Sequence, residues 1–272
     1  MEIVFYKMKN VLFWCGVKGS DAVKEKYRYD DFSWMQYSKH TWEYWCKKND
    51  VIFLHYDTTS LEDQMKYKIN WQRWLDIIPF VEKNVGQFDQ VLAIDASFMV
   101  KWDAPNFFNQ SENKWCGLIG NENLKWVSES IEGYKPLFNN FEFDYSQHLL
   151  AGFTLFNRSH ISFFEEFKKF YFDNHETILN YEDKIVKRGR DQPALNYFRQ
   201  INNIDTKVFP ISYGANHMWR RNMLNRNPHL NDPTPLFIKY LHTWCFSGFP
   251  DRGNSRTQLM KQTWDLVKHN YE

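Results

Sequence analysis

The sequence predicts an α/β domain built around a largely parallel sheet, and three observations predict it. Short apolar runs at residues 10–16, 51–57 and 88–95 alternate with longer segments whose apolar residues recur at helical spacing. The second and third runs each stop on a carboxylate, Asp57 and Asp95, as strands do when their carboxyl ends open onto a ligand crevice. The 272 residues contain no internal repeat, low-complexity block or Gly/Ser linker, so one continuous unit is expected over residues 1–272. Size scaling then places roughly three quarters of the unfolded surface in the interior.

Taken in order, N-V-L-F-W-C-G at 10–16 reads as a buried strand ended by glycine. Residues 38–48 form a helix, with Ser38 suited to its N-cap, rings at Trp42 and Trp45, and lysines in the last turn. Residues 51–57 form the second strand. Helical spacing resumes through Trp71, Trp74, Leu75, Ile78 and Val81, predicting a helix over 69–85 that Pro79 would kink. F-D-Q-V-L-A-I-D at 88–95 is the third strand. Further strands are expected at 115–119 and 151–156, and helices at 161–171, 192–200 and 257–269. The Asn-, Pro- and Arg-rich stretch 210–235 reads as a long loop.

Composition narrows the class. With 34 Lys+Arg against 33 Asp+Glu, no whole-molecule field draws the chain onto nucleic acid or an anionic membrane, although a local basic groove stays open. Cys15, Cys46, Cys116 and Cys245 are too scattered for a zinc or dithiol motif and suggest a reducing compartment. Neither a signal-like run nor a 20-residue apolar span is visible, so a cytoplasmic protein with no integral membrane segment is expected. The nine histidines share no metal spacing, and phosphate-loop, dinucleotide, nucleophile-elbow and zinc-protease motifs are missing. Aromatic residues reach 19%. At helical spacing Trp42, Trp45, Trp71 and Trp74 read as core, whereas Trp102, Trp219 and Trp244 are candidates for stacking on a sugar or base.

Five segments carry chemistry in a fixed order: W-Q-R-W at 71–74 before the strand ending D-A-S at 95–97, then L-A-G at 150–152, R-D-Q at 190–192 and L-H-T-W at 241–244. The series resembles the GT-A nucleotide-sugar glycosyltransferases, most closely the galactosyltransferase and glycogenin-like branches. That resemblance implies a single GT-A-type, Rossmann-like domain with a mixed, mainly parallel sheet flanked by helices. Its nucleotide-binding half would span about residues 10–110 and its sugar and acceptor half about 111–272. It also implies transfer of a sugar, with a retaining outcome, from a nucleotide diphosphate sugar, most simply a UDP-sugar, to an acceptor hydroxyl. The acceptor would be a cell-surface glycan precursor or a modified base in phage DNA. A module of the same fold that binds nucleotide-sugar without turnover is the alternative.

By the same resemblance, Asp95, Ser97 and His242 would hold a divalent cation, Mn²⁺ or Mg²⁺, that neutralises the diphosphate. Asp191 and Gln192 would flank the transferred sugar as the catalytic pair; Asp191 reads equally as a helix N-cap. Donor contacts would come from Asp57, Arg73, Asp95, Ser97, Gly152 and Arg252. For Asp57 a strand-end turn, for Arg73 a surface helix position and for Gly152 a tight strand bend are the plain alternatives. Two positions depart from the family: Ser97 replaces the second aspartate of D-x-D, and Leu150 replaces the asparagine before Ala-Gly. The first leaves a second route to neutralisation, through Arg220, Arg221, Arg226, Arg252 and Arg256.

Overall fold

The computed structural model describes residues 9–27, 32–120, 124–214, 234–248 and 255–272. At its centre is a six-stranded sheet made of β1 (Asn10–Cys15), β2 (Ile52–Tyr56), β3 (Gln90–Asp95), β5 (Trp115–Ile119), β6 (Leu149–Asn157) and β7 (Thr206–Val208), in the order β2-β1-β3-β6-β5-β7. β2, β1 and β3 run parallel, β6 lies antiparallel between β3 and β5, and β7 is parallel to β5. A separate ribbon pairs β4 (Phe98–Val100) with β8 (Thr243–Cys245).

The inner stretches of the central strands, residues 11–14 of β1 and 91–94 of β3, are apolar throughout because both faces are covered. Leu12, Trp14, Leu92 and Ile94 point into one cluster with Trp42 and Trp45 of α2 (Met35–Asn49). Val11, Phe13, Val91 and Ala93 point into another with Trp71 and Trp74 of α3 (Ile69–Val85) and Phe163, Phe164 and Phe167 of α5 (Ile161–Asp173). The period-2 alternation of side chains along a strand thus divides one apolar run between two cores.

The remaining helices are α1 (Asp21–Tyr27), α4 (Leu124–Tyr134), α6 (His175–Asn180), α7 (Asp191–Ile201), α8 (Leu236–Tyr240) and α9 (Ser255–Val267). The last packs beside α2, where Trp264 meets Tyr37 and His40. Of the loop expected at 210–235, residues 211–213 form a short 3-10 turn and 215–233 lie outside the described residues.

Several expectations need correcting. α2 starts at Met35, so Ser38 is a buried residue of its first turn: its hydroxyl accepts from the Trp14 indole at 2.9 Å and donates to the Phe98 carbonyl at 2.5 Å. α7 begins at Asp191 without a side-chain cap. Trp244 is fully buried with its indole donating to the Phe237 carbonyl, so it stacks on no ligand. Half-buried Trp102 sits edge-on to Tyr271 under Lys101, and Trp219 lies outside the described residues.

Candidate active site

The carboxyl ends of β1, β2 and β3 converge, with Cys15 opposite both Tyr56 and Asp95. Above this edge, α3 presents Asn70, Arg73 and Trp74, whose i, i+3, i+4 spacing puts them on one helix face. All three reach the carboxylate of Asp191. Asn70 Nδ2 donates to Oδ1 at 3.0 Å, while Arg73 Nη2 and Trp74 Nε1 each donate to Oδ2 at 2.7 Å. The other arm of Arg73 binds Asp95 Oδ1. Arg73 therefore bridges two carboxylates, and the cluster carries a net negative charge.

Burial shapes its electrostatics. The Asp191 and Arg73 side chains are each 6% exposed, while that of Asp95 is 33% exposed and opens toward solvent. Burial disfavours charge on Arg73, but Asp95 and Asp191 outweigh it and hold the guanidinium above its ordinary value. For Asp95 burial raises the pKa, Arg73 opposes it, and the net shift is upward. The neighbouring Cys15 thiol is pushed up to about 12, chiefly by burial, and stays protonated and inert. A Cβ at Gly152 would stand 2.8 Å from Asp95 Oδ2 and 3.0 Å from the Phe98 ring, so glycine is what lets β6 pass this carboxylate.

Asp191 was expected beside the sugar, but it is 4% exposed and its oxygens are taken up by α3. It holds Arg73, and the more exposed carboxylate of the pair is that of Asp95. Gln192 is committed at both ends: its Oε1 accepts from Ala151 N at 3.1 Å and its Nε2 lies 3.2 Å from His148 Nε2. His148 Nδ1 is 3.2 Å from the Gly120 carbonyl, so the network assigns the proton to Nδ1 and leaves Nε2 to accept. Burial depresses His148 to a pKa of about 4 and keeps it neutral. Asn70, Trp74 and His148 were not singled out as site residues; the shared helix face of the first two with Arg73 is the signal that points to them.

The residues present do not fit the expected cation site. Asp95 is paired with Arg73, and Ser97 is buried with its carbonyl accepting from Phe246 N at 2.9 Å. Pairing of β4 with β8 sets Cys245 opposite Phe98, which carries His242 past the far end of β4, where its carbonyl accepts from Lys101 N at 2.8 Å. Four residues of extended chain from Ser97 to Lys101 span roughly 13 Å. Among the described residues no group of three or more His, Cys, Asp or Glu side chains could hold a metal ion.

Beside the cluster, where β1 and β2 meet α2, lies a cavity of about 520 Å³ lined by Trp14, Lys18, Phe32, Lys39, His55 and Asp57, among others. Strand spacing puts its Asp57 end roughly 10 Å from Asp95 across β1. Arg256, on α9, lies with its guanidinium 4.9 Å above the Trp34 ring, between the lining residues Ser33 and Met35 in the chain. Arg252, Arg220, Arg221 and Arg226 lie outside the described residues.

No family model and no curated protein matches this chain. Among solved structures, one titled as a glycosyltransferase involved in the glycosylation of the major capsid of PBCV-1 aligns at a TM-score of 0.52 and 9% identity, over 93% of this chain and 99% of that one. A mouse xyloside xylosyltransferase 1 aligns at a TM-score of 0.44 and 7% identity over 88% and 97%. The glycosyltransferase GlyE of Streptococcus pneumoniae aligns at 0.39 and 9% over 97% and 63%. The fold is thus that of a GT-A-like glycosyltransferase: one mixed, mainly parallel sheet flanked by helices. No helix among the described residues is long and apolar enough to cross a membrane.

Proposed function

We propose that the protein transfers a sugar from a nucleotide diphosphate sugar to an acceptor hydroxyl. The observation that carries the reading is the Asp95–Arg73–Asp191 chain at the carboxyl edge of the sheet, adjacent to a cavity of nucleoside size. In this arrangement the nucleoside enters the cavity, with Asp57 at its ribose or base, and the diphosphate spans toward Asp95. The sugar lies over Asp95, whose carboxylate stands against β6 because Gly152 carries no side chain. Asp57, Arg73 and Asp95 fall in the half we assign to the donor, about residues 10–110, and Gly152, Asp191 and Gln192 in the sugar and acceptor half, about 111–272.

In the transfer, the acceptor oxygen forms its bond to the anomeric carbon and gives its proton to the departing phosphate. The anomeric carbon–oxygen bond breaks with its electron pair leaving on the nucleoside diphosphate. Asp95 faces the positive charge that develops on the sugar ring; Asp191, Asn70 and Trp74 keep Arg73 in place, and Gln192, held by Ala151 and His148, fixes the start of α7 against β6. A UDP-sugar donor and a retaining outcome follow from the motif resemblance. The likeness to a glycosyltransferase involved in glycosylating the PBCV-1 major capsid and the near-zero net charge favour a glycan acceptor over a DNA base.

The test is a thermal-shift screen of nucleotide-sugars followed by turnover assays. A donor binding the native state raises the melting temperature, and Asp95→Asn is expected to cut nucleoside diphosphate release by about 10²-fold or more while the protein stays folded. Unchanged turnover in that variant, or no shift with any nucleotide-sugar, rejects the assignment. A donor that binds with no turnover across acceptors identifies the non-catalytic module instead.

A further inference from the structure

We infer that Asp76 is a positioning residue for donor binding: it grips the chain on both sides of Asp57 and so holds that carboxylate against the nucleoside. The inference rests on the sugar-transfer reading and adds how the donor contact at the cavity is kept in place.

Asp57 is the first residue after β2, and with Thr58 it lines the cavity. A residue just past a strand end has no ladder to fix it, so its neighbours must. Tyr56 precedes it and Ser60 follows, and both reach one carboxylate on α3. Tyr56 Oη donates to Asp76 Oδ2 at 2.5 Å, Ser60 N donates to the same oxygen at 3.0 Å, and Ser60 Oγ donates to Oδ1 at 2.5 Å. Burial and the adjacent Asp76 carboxylate push the Tyr56 phenol well above its ordinary range, so it stays a donor. Residues 57–59 are thereby closed between two fixed ends. Fully buried Gln72 extends the hold: its Oε1 accepts from Leu61 N at 2.9 Å, and its Nε2 donates to the carbonyls of Leu61 at 3.0 Å and Tyr67 at 2.5 Å. Gln72 and Asp76 stand i, i+4 apart, so one face of α3 holds the loop that follows β2.

A carboxylate at this position calls for a reason other than stability. Asp76 is 7% exposed, and among the described residues no cation pairs with it. Burying such a group is costly, and an apolar side chain would fill the place at lower cost. What the carboxylate adds is direction, because three donors converge on it from the two residues that bracket 57–59. A different face of the same helix presents Asn70, Arg73 and Trp74 to Asp191 and Asp95, so α3 fixes both the carboxylate cluster and the cavity wall. The two functions separate in kinetics. Asp57 touches a part of the donor that is bound throughout, so loosening it weakens ground state and transition state alike, which raises KM and leaves kcat.

The experiment uses the full chain. KM and kcat are measured by nucleoside diphosphate release from UDP-, GDP- and ADP-hexoses, and the best of these donors is carried through Asp57→Asn, Asp76→Asn, the double variant and Ser60→Ala. Asp76→Asn keeps the side-chain shape and loses acceptor capacity; the donor KM should rise about tenfold while kcat stays within about twofold. Ser60→Ala, which leaves the Asp76 carboxylate and its Tyr56 bond in place, should raise KM by about threefold, and it carries the test if Asp76→Asn is less stable. Because Asp76 acts through Asp57, the double variant should lie within about twofold of Asp57→Asn alone, whereas a residue that merely supports the fold would multiply the two effects. A donor KM unchanged in both Asp76→Asn and Ser60→Ala, a fall in kcat with KM unchanged, or multiplied effects in the double variant overturns the inference and leaves sugar transfer standing. If the wild type shows neither a thermal shift nor diphosphate release with any of the three donors, the sugar-transfer reading falls, and this inference with it.

Discussion

Replacing Arg73 with methionine keeps an unbranched apolar stem and removes the one cation between two carboxylates. The Arg73–Asp191 contact, at 2.7 Å with both side chains 6% exposed, has a gross attraction of about 6 kcal/mol at an effective dielectric near 20. Most of that offsets the cost of burying the charges, and breaking such a pair typically costs about 3–5 kcal/mol because an uncompensated charge is left behind. The Asp95 side is one-third exposed and adds less, since solvent screens it. At roughly 0.6 kcal/mol per degree for a chain of this size, the melting temperature should drop by about 5–9 °C. The pH dependence separates charge from packing. Without Arg73 two carboxylates face each other with no cation between them, and the native pKa of Asp95, already raised, rises further above the unfolded one. Groups with raised native pKa values contribute stability that is present below the unfolded pKa and lost as pH rises through the native one. The deficit of Arg73→Met relative to wild type, measured by urea unfolding, should therefore be small near about pH 4 and grow toward about pH 8. An equal deficit at both ends would refute the electrostatic account and assign the loss to packing.

Two further outcomes follow from the same region. His148 is held neutral with its pKa depressed from 6.5 to about 4, so its contribution is present above 6.5 and lost as pH falls through 4; wild type should lose up to about 3 kcal/mol over that interval that His148→Gln does not, read from urea midpoints. Arg190 has φ 51° and ψ −126°, a conformation that suits glycine, so Arg190→Gly should gain about 1 kcal/mol and raise the melting temperature by about 2 °C; a lower melting temperature would show that the backbone there is unstrained.

The parts of the fold legible in the sequence are those set by local pattern. The apolar recurrence through Trp71, Leu75 and Ile78 delimits α3 to the residue, and the apolar runs locate β1, β2 and β3 within two residues of each end. Pairing over long separations is not written in local pattern. The antiparallel insertion of β6 between β3 and β5, and the three-residue strands β4, β7 and β8, depend on partners from 30 to 147 residues away. The site follows the same division. Arg73, Asp95, Gly152 and Asp191 were recognisable by type and order, and the structure brings them together. Motif order also nominated His242, but the β4–β8 register decides where that histidine stands, and it stands at the wrong end.

The aromatic excess acquires a physical explanation from the buried tryptophans. An indole brings a large apolar body and one N–H that must find an acceptor when buried. Trp42 donates to the Phe98 carbonyl, Trp45 to those of Ala104 and Pro105, Trp71 to Glu182 and Trp74 to Asp191, each across more than 50 residues of sequence. These rings tie helices to distant strands and loops by a polar contact as well as by packing, so each fixes a direction that a leucine in its place would leave free. Trp74 shows what this means for chemistry. Its ring sits in the core with Phe164 and carries the Arg73 guanidinium 4.6 Å above it, while its N–H holds the carboxylate that Arg73 pairs with. The placement of Arg73, and through it of Asp95, is thus set by a residue whose pattern in the sequence says only that it is buried. In this fold the core is also the support of the site, and a ring need not touch a sugar to decide where one binds.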